Sequence, residues 1–282
     1  MIKNILKSVV LLFIIIKPLY IHAEWKSIHH DRLFSISGVV SFADGFLVVH
    51  DNKNKGQPRI SFINKENTIR PLVWPNDAPP FDLEAIHIIP GASNEFLVME
   101  SGGVCYRVMV KPESKEISII NKFILPKVSK IMNLEGMTLV KSKKYFKIAY
   151  GDRGSDDRRS TLFIGDYEPS NNSITNINSY VIDLPEPESF KRNIADLVFD
   201  AGGVLWSAAT SDPGDDGPFE TRIYKIGQIS RSGVFSKFQS PKAIKGFSDQ
   251  KVEAMTNFSS GLILMTDNEN FGSSSYYLNT SK

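Results

Sequence analysis

Short, strongly apolar runs alternate with polar turn segments along most of the chain, and the 3.6-residue spacing of an amphipathic helix is scarce. Five segments look alike: Ile36-Ser37-Gly38-Val39, Leu83-Glu84-Ala85-Ile86, Leu134-Glu135-Gly136-Met137, Ile194-Ala195-Asp196-Leu197 and Val252-Glu253-Ala254-Met255. Their second positions lie 47, 51, 60 and 58 residues apart. Each opens a short apolar strand, followed by a turn and a second apolar strand: Phe46–Val49, Phe96–Met99, Phe146–Tyr150, Val204–Ala208 and Leu262–Met265. A Gly/Asn/Ser-rich loop leads to a third strand, Arg59–Ile63, Val104–Val110, Thr161–Tyr167, Thr221–Ile226 and Ser275–Asn279.

In the first four repeats a fourth strand closes on proline, at Trp74-Pro75, Leu125-Pro126, Leu184-Pro185 and Ser240-Pro241. The fifth repeat stops after its third strand, and Trp25–Leu33 has no other place than as its missing outer strand. Strands rich in Val, Ile, Phe and Tyr, recurring at a period of about 50 residues, predict an all-β fold. The expected architecture is a five-bladed β-propeller whose N-terminal strand completes the last blade. A two-layer sandwich is the rival, and it leaves a second regularity unexplained.

That regularity is an acid ending the second strand of every repeat: Asp51, Glu100, Asp152, Asp212 and Asp267. In a propeller these positions open on the same face as the starts of the innermost strands, where Glu84, Glu135, Glu253 and Asp196 stand. Two like charges 4 Å apart repel by about 4 kcal/mol at an effective dielectric of 20. A bound cation, protonation, or interleaved Arg and Lys must offset such a ring; solvated turn acids are the bland alternative. Oxygen donors without Cys suit Ca²⁺. The expected metal ligands are Asp51, Glu84, Glu100, Glu135, Asp152, Asp212, Glu253 and Asp267, with Asn52, Asn133, Asn193 and Asn268 as neutral candidates.

Composition then bounds the setting. The apolar run Val9–Ile16 follows Lys3 and Lys7 and precedes Ile21-His22-Ala23. It is too short to span a bilayer, which needs roughly 20 residues. It reads as an export signal over residues 1–23, with an uncleaved anchor as the rival. Residues 24–282 then form one propeller domain in the periplasm or outside the cell, with no later membrane span. The formal charge is +2, and the three lysines of the first 23 residues leave the remainder at −1. A near-neutral body argues against nucleic-acid binding. Cys105 is alone and reads as a packing residue.

Gly151–Arg159 mixes acids with three arginines, a pattern able to clamp an anion or to pair internally, and Arg153 is the candidate from it. His50, next to Asp51, is the candidate acid or base, although strand alternation equally allows it to face into the blade. His87 reads as structural, and no nucleophile elbow or phosphate loop is present.

The segments Ile36–Val39, Val48-Val49-His50-Asp51-Asn52, Asp82–Ile86 with Met99-Glu100-Ser101, and Asn133–Met137 resemble the phytase-like esterase family of exported bacterial propellers, and more distantly gluconolactonase-type propellers. The resemblance implies a metal-compatible channel mouth and hydrolysis of phosphate or carboxylic esters, and points to Asp51, Asn52, Glu84, Glu100 and Glu135. Ala195 and Ser37 depart from it, standing where the repeated acid belongs; Asp196 comes one place after Ala195, which on a strand turns its side chain to the opposite face. The expected function is therefore a Ca²⁺-assisted hydrolase, in which the metal polarises the substrate and a carboxylate or His50 activates water. The arginine loop would orient an anionic small molecule or cell-envelope ligand. The alternative is a non-catalytic binding propeller with a structural metal.

Overall fold

The computed structural model describes residues 24–76, 78–142 and 146–281; the expected export signal, residues 1–23, lies outside them. The described chain forms five antiparallel sheets, each ordered from an inner to an outer strand. Blade I comprises β2 (Gly38–Phe42), β3 (Gly45–Val49), β4 (Ile60–Ile63) and β5 (Ile69–Leu72), and blade II comprises β6 (Leu83–Ile88), β7 (Glu95–Glu100), β8 (Val104–Val110) and β9 (Ile117–Ile124). Blade III follows as β10 (Leu134–Lys141), β11 (Phe146–Asp152), β12 (Ser160–Glu168) and β13 (Ser173–Ile182). Blade IV has β14 (Lys191–Phe199), β15 (Val204–Ser211), β16 (Glu220–Ile229), β17 (Phe235–Lys237) and β18 (Ala243–Ser248). Blade V is β19 (Val252–Phe258), β20 (Gly261–Thr266), β21 (Ser273–Asn279) and, from the N-terminus, β1 (Lys26–His29). The inner strands touch in the cyclic order β2, β6, β10, β14, β19 and back to β2, which is the five-bladed propeller that the repeat predicts.

Both faces of each blade are buried, because five apolar clusters lie between successive blades. One joins Val40 and Leu47 of blade I to Leu83 and Phe96 of blade II; another closes the ring by joining Val39 and Val48 to Ala254 and Met265. Two-sided burial is why the central strands read as near-continuous apolar runs rather than strict alternation. Cys105 packs in the cluster between blades II and III.

The closing strand is where the sequence places it: Lys26 pairs with Ser275 and His29 with Ser273. Blade IV differs from the expectation of one outer strand ending at Ser240-Pro241. Its outer edge is interrupted, with β17 pairing the end of β16 (Gly227–Ile229) and β18 pairing its start (Glu220–Tyr224). Pro241 has no N–H to donate and sits in that interruption, after which the edge resumes.

Candidate functional site: the axial mouth

A repeated irregularity aims the inner-strand acids. In blade II Leu83 pairs with Glu100 and Ala85 with Met99, so Glu84 is an extra residue with no partner across the ladder. Glu135 stands in the same way between Leu134↔Asp152 and Gly136↔Gly151, and Glu253 between Val252↔Thr266 and Ala254↔Met265. A bulged residue turns its side chain out of the sheet's alternation, and here three bulges deliver three carboxyls to the axis. The next position is small in four of the five blades, and a Cβ on Gly136 would lie 2.6 Å from the backbone nitrogen of Leu197 in the neighbouring inner strand.

Blade IV departs from this plan. Its ladder is irregular from Arg192 to Asp196, and the Asp196 carboxylate accepts the backbone N–H of Met255 (2.5 Å) and of Leu197 (2.7 Å). Asp196 therefore staples β14 to β19 instead of entering the mouth.

The protein's own cations neutralise much of the ring. Arg153 donates to Glu135 (2.9 Å), and Arg192 lies 2.5 Å from Asp212, 3.3 Å from Glu253 and 3.9 Å from Glu135. Lys251, only 1% exposed, lies 2.5 Å from Glu269, 3.2 Å from Asp212, 3.4 Å from Glu253 and 3.5 Å from Asp267. Arg32 continues the chain of charges to Glu269 (2.7 Å) and Asp215 (2.6 Å). Asp152 is bound by Arg158 and by the Asn133 N–H.

Asp51 and Glu84 have no hydrogen bond or ion pair among the described residues. They belong to blades I and II, whereas Arg153, Arg192 and Lys251 belong to the edges of blades III, IV and V.

That asymmetry splits the ionisation of the mouth. Burial, and then the charges of Glu135, Asp82 and Asp51, push Glu84 well above the usual carboxyl range. Burial and the charges of Asp267 and Glu269 push Asp51 up to about 7. Glu253 is also raised, by burial and by Glu135 and Asp267, against the pull of Lys251 and Arg192. Asp212 and Asp267 go the other way: burial opposes their charge, but Lys251 outweighs it, helped by Arg192 at Asp212 and by the Glu269 N–H at Asp267. Carboxyls pushed in opposite directions from the usual range thus share one opening.

Of the expected site residues, Asp51, Glu84, Glu135, Asp212, Glu253 and Asp267 meet in this connected field. Glu100 does not join it: its Oε1 accepts the Phe81 N–H (3.0 Å) and the Tyr106 hydroxyl (2.9 Å). His50 faces into the blade, the alternative its strand allowed. It is fully buried, with Nδ1 2.6 Å from the Ser35 carbonyl oxygen and Nε2 2.8 Å from Ser61 Oγ, and burial lowers it to about 4. It is a neutral core histidine.

Asn52, Asn193 and Asn268 all spend side-chain atoms on the backbone. Among the described residues no three His, Cys, Asp or Glu side chains are disposed to hold a metal ion. Arg192, Lys251 and Glu269 were not among the expected site residues. Lys251 was findable, since it stands two places before Glu253, the position occupied by Asp82 and Asn133 in other repeats.

No family model and no curated protein matches the chain. Solved structures do. A β-1,2-mannobiose phosphorylase from Listeria innocua aligns with a TM-score of 0.53 at 9% identity, over 94% of this chain and 93% of that one. An endo-arabinase from Bacteroides thetaiotaomicron aligns with a TM-score of 0.52 at 9% identity, over 88% and 90%. An endo-arabinanase from Bacillus licheniformis aligns with 0.50 at 9%, over 87% and 93%. These likenesses show a shared propeller over nearly the whole of each chain; they do not show the phytase-like family.

Proposed function

We propose that the chain is an exported hydrolase that works by carboxyl acid–base chemistry at the axial mouth. The observation that carries this reading is the split in ionisation: an unpaired, half-buried Asp51 pushed up to about 7 lies in the field of an ionised Asp267. Paired carboxyls with opposed environments are the pattern of a proton donor and a proton acceptor. Asp51 gives its proton to the leaving oxygen as that oxygen's bond to the acyl carbon, phosphorus or anomeric carbon breaks. The carboxylate of Asp267 takes a proton from the attacking water as the water oxygen bonds to that same centre, and proton exchange with solvent restores both groups. Glu84 stays protonated beside them and offers a hydrogen bond to the developing oxyanion. Phosphate and carboxylic esters are the bonds the sequence suggests, and the names of the structural neighbours add glycosides.

Ca²⁺ is supported more narrowly than a ring of eight ligands. Glu135, Asp152, Asp212, Glu253 and Asp267 already hold protein cations, so an ion has Asp51 and Glu84 to bind, with Asp82 nearby and paired to Lys53 at 3.0 Å. That pair of uncompensated carboxyls is what favours a second reading, a cation-stabilised binding propeller.

The deciding experiment is a pH–rate series on 4-nitrophenyl phosphate, acetate and glycosides, with EDTA and with Ca²⁺. Turnover should fall as pH rises through about 7, and Asp51→Asn should lower kcat by roughly 10²–10⁴-fold. No turnover on any of them, together with a melting temperature that Ca²⁺ raises and EDTA lowers, would replace the hydrolase with the binding propeller.

A further inference from the structure

A cleft of about 460 Å³ opens on the mouth face between the arginine loop of blade III and the segment entering blade IV, with Asp156, Arg158, Arg159, Glu188, Lys191 and Asn193 in its wall. Its volume falls within the range of about 300–1,000 Å³ that holds small-molecule ligands. The wall is joined to the mouth. Arg158 holds Asp152, and the Asn193 N–H donates to the Arg153 carbonyl (3.0 Å) while the Arg153 guanidinium holds Glu135 (2.9 Å).

The chemistry of the wall does not select an anion. Arg153 and Arg158 are spent on Glu135 and Asp152, and the Lys191 ammonium donates to the Leu184 carbonyl (2.8 Å). Arg159 shares the wall with Asp157, Asp183 and Glu188, so the remaining groups carry a surplus of carboxylates, which repels anions and offers acceptors to hydroxyl groups beside one guanidinium donor. Such a surface suits a neutral molecule rich in hydroxyl groups.

Between two cleft residues, Ser189 and Lys191, Phe190 is 54% exposed and holds the left-handed backbone conformation (φ 50°), which a bulky aromatic rarely adopts. Two bonds fix it there: its N–H donates to Asp156 Oδ2 (3.1 Å), and its carbonyl accepts the Asp212 N–H (3.0 Å). The fold maintains backbone strain here and presents an uncovered aromatic face, the combination expected of a ligand platform. Phe81, Ile131 and Phe271 are also exposed on loops of the mouth face, at 56%, 74% and 59%.

We infer that this cleft is a binding subsite for a neutral oligosaccharide, with the Phe190 ring as the stacking platform, leading the sugar chain towards the carboxyls of the mouth. Its part in turnover rests on the hydrolase reading above; its occupancy does not.

Calorimetric titration of the protein with mannotetraose, arabinotetraose and cellotetraose, and with inorganic phosphate and trigalacturonate as anionic comparisons, tests it. At least one neutral tetraose should bind. Phe190→Asn should weaken that binding by roughly tenfold or more while leaving the melting temperature equal or higher, because Asn tolerates the left-handed conformation. Val234→Ala, on the exposed β16–β17 turn at the opposite end of the blade, should change neither. Binding of only the anionic probes, binding of none, or full binding by Phe190→Asn would overturn the inference. Asp51→Asn separates the two proposals: retained turnover defeats the acid–base assignment and leaves the subsite standing, whereas lost turnover with intact sugar binding supports both.

Discussion

Lys251 is almost solvent-free yet stays charged: burial opposes its proton, and Asp267, Glu253, Glu269 and Asp212 outweigh that cost. Removing one partner of a buried ion cluster leaves the others uncompensated, typically at a cost of about 3–5 kcal/mol. Lys251→Met should therefore lower the denaturant-derived stability by about that much at pH 7, and by less near pH 4.5, where the carboxyls can take up protons instead. Asp51 gives the opposite pH signature. Its pKa is raised from 3.8 to about 7, so the folded chain holds a proton that the unfolded chain releases from about pH 4 upward. Stability contributed by that proton is complete below pH 4, declines as pH rises, and is gone above 7. At about 1.4 kcal/mol per pH unit, a rise from 3.8 to about 7 caps the effect near 4 kcal/mol. His50 and His87, both lowered to about 4 by burial, act in the reverse sense between pH 6.5 and 4. The measurable quantity is thus the difference between the wild type and Asp51→Asn: the variant should gain stability on the wild type from pH 4 to 7 and hold a constant lead above. A difference independent of pH would show that Asp51 titrates normally. The recurring acids were legible as residues because acids at a fixed repeat position stand out. Their neutralisation by Arg and Lys was legible only as one alternative: Lys251 stands at the repeat position of Asp82 and Asn133, whereas nothing in the repeat flags Arg192.

At the level of strands, sequence alternation predicts which residues face the axis by counting in twos, and the bulges at Glu84, Glu135 and Glu253 break that count. The acids reach the mouth all the same, since an extra residue re-aims one side chain without reversing the strand after it. Blade IV shows what alternation does catch. Asp196 is one place past the repeat position occupied by Ala195, which turns it to the other face, and it stands there as a staple on the Met255 N–H. The inner strands have little room to spare where they pass. A Cβ at position 136 would sit 2.6 Å from Leu197 N and 2.8 Å from Asp196 C, both backbone atoms that cannot rotate away. Gly136→Ala should cost about 1–3 kcal/mol through overpacking, read as a lower urea midpoint with an unchanged m-value. Because Glu135 is the adjacent residue, the same variant should also lose activity. A midpoint equal to wild type would mean that the two inner strands separate freely, and the bulge geometry would lose its support.

Across the whole molecule, five similar blades surround an opening whose charges are not fivefold. Arg153, Arg192 and Lys251 pair carboxyls on the side made by blades III to V, whereas Asp51 and Glu84 on the side made by blades I and II stay unpaired among the described residues, which gives a symmetric scaffold a direction in which a substrate can lie. That arrangement depends on the ring staying shut, and one short strand shuts it. β1 adds three residue pairs to the edge of β21, and Trp25 beside it packs its ring 5.1 Å from both Phe247 and Tyr276. Just after β1, Arg32 ties the same end of the chain to Glu269 and Asp215 at the mouth. Deleting residues 24–31 removes the pairing and the tryptophan, leaves β21 as an open edge, and loosens the anchor of Arg32. An unpaired edge strand recruits other chains, and a domain stable by only about 5–15 kcal/mol has little margin for losing a blade's outer strand. The truncated protein should unfold at a lower urea concentration with a broader transition and elute as associated species. Trp25→Ala, which keeps the strand pairing, should shift the midpoint by less and elute as the full-length chain does. Adding a peptide of residues 24–31 should partly restore the truncated protein's transition, since the edge it fits is still there. If the truncated chain instead melts and elutes like the full one, the last blade stands on three strands, and the ring is held by the apolar contacts between blades I and V alone.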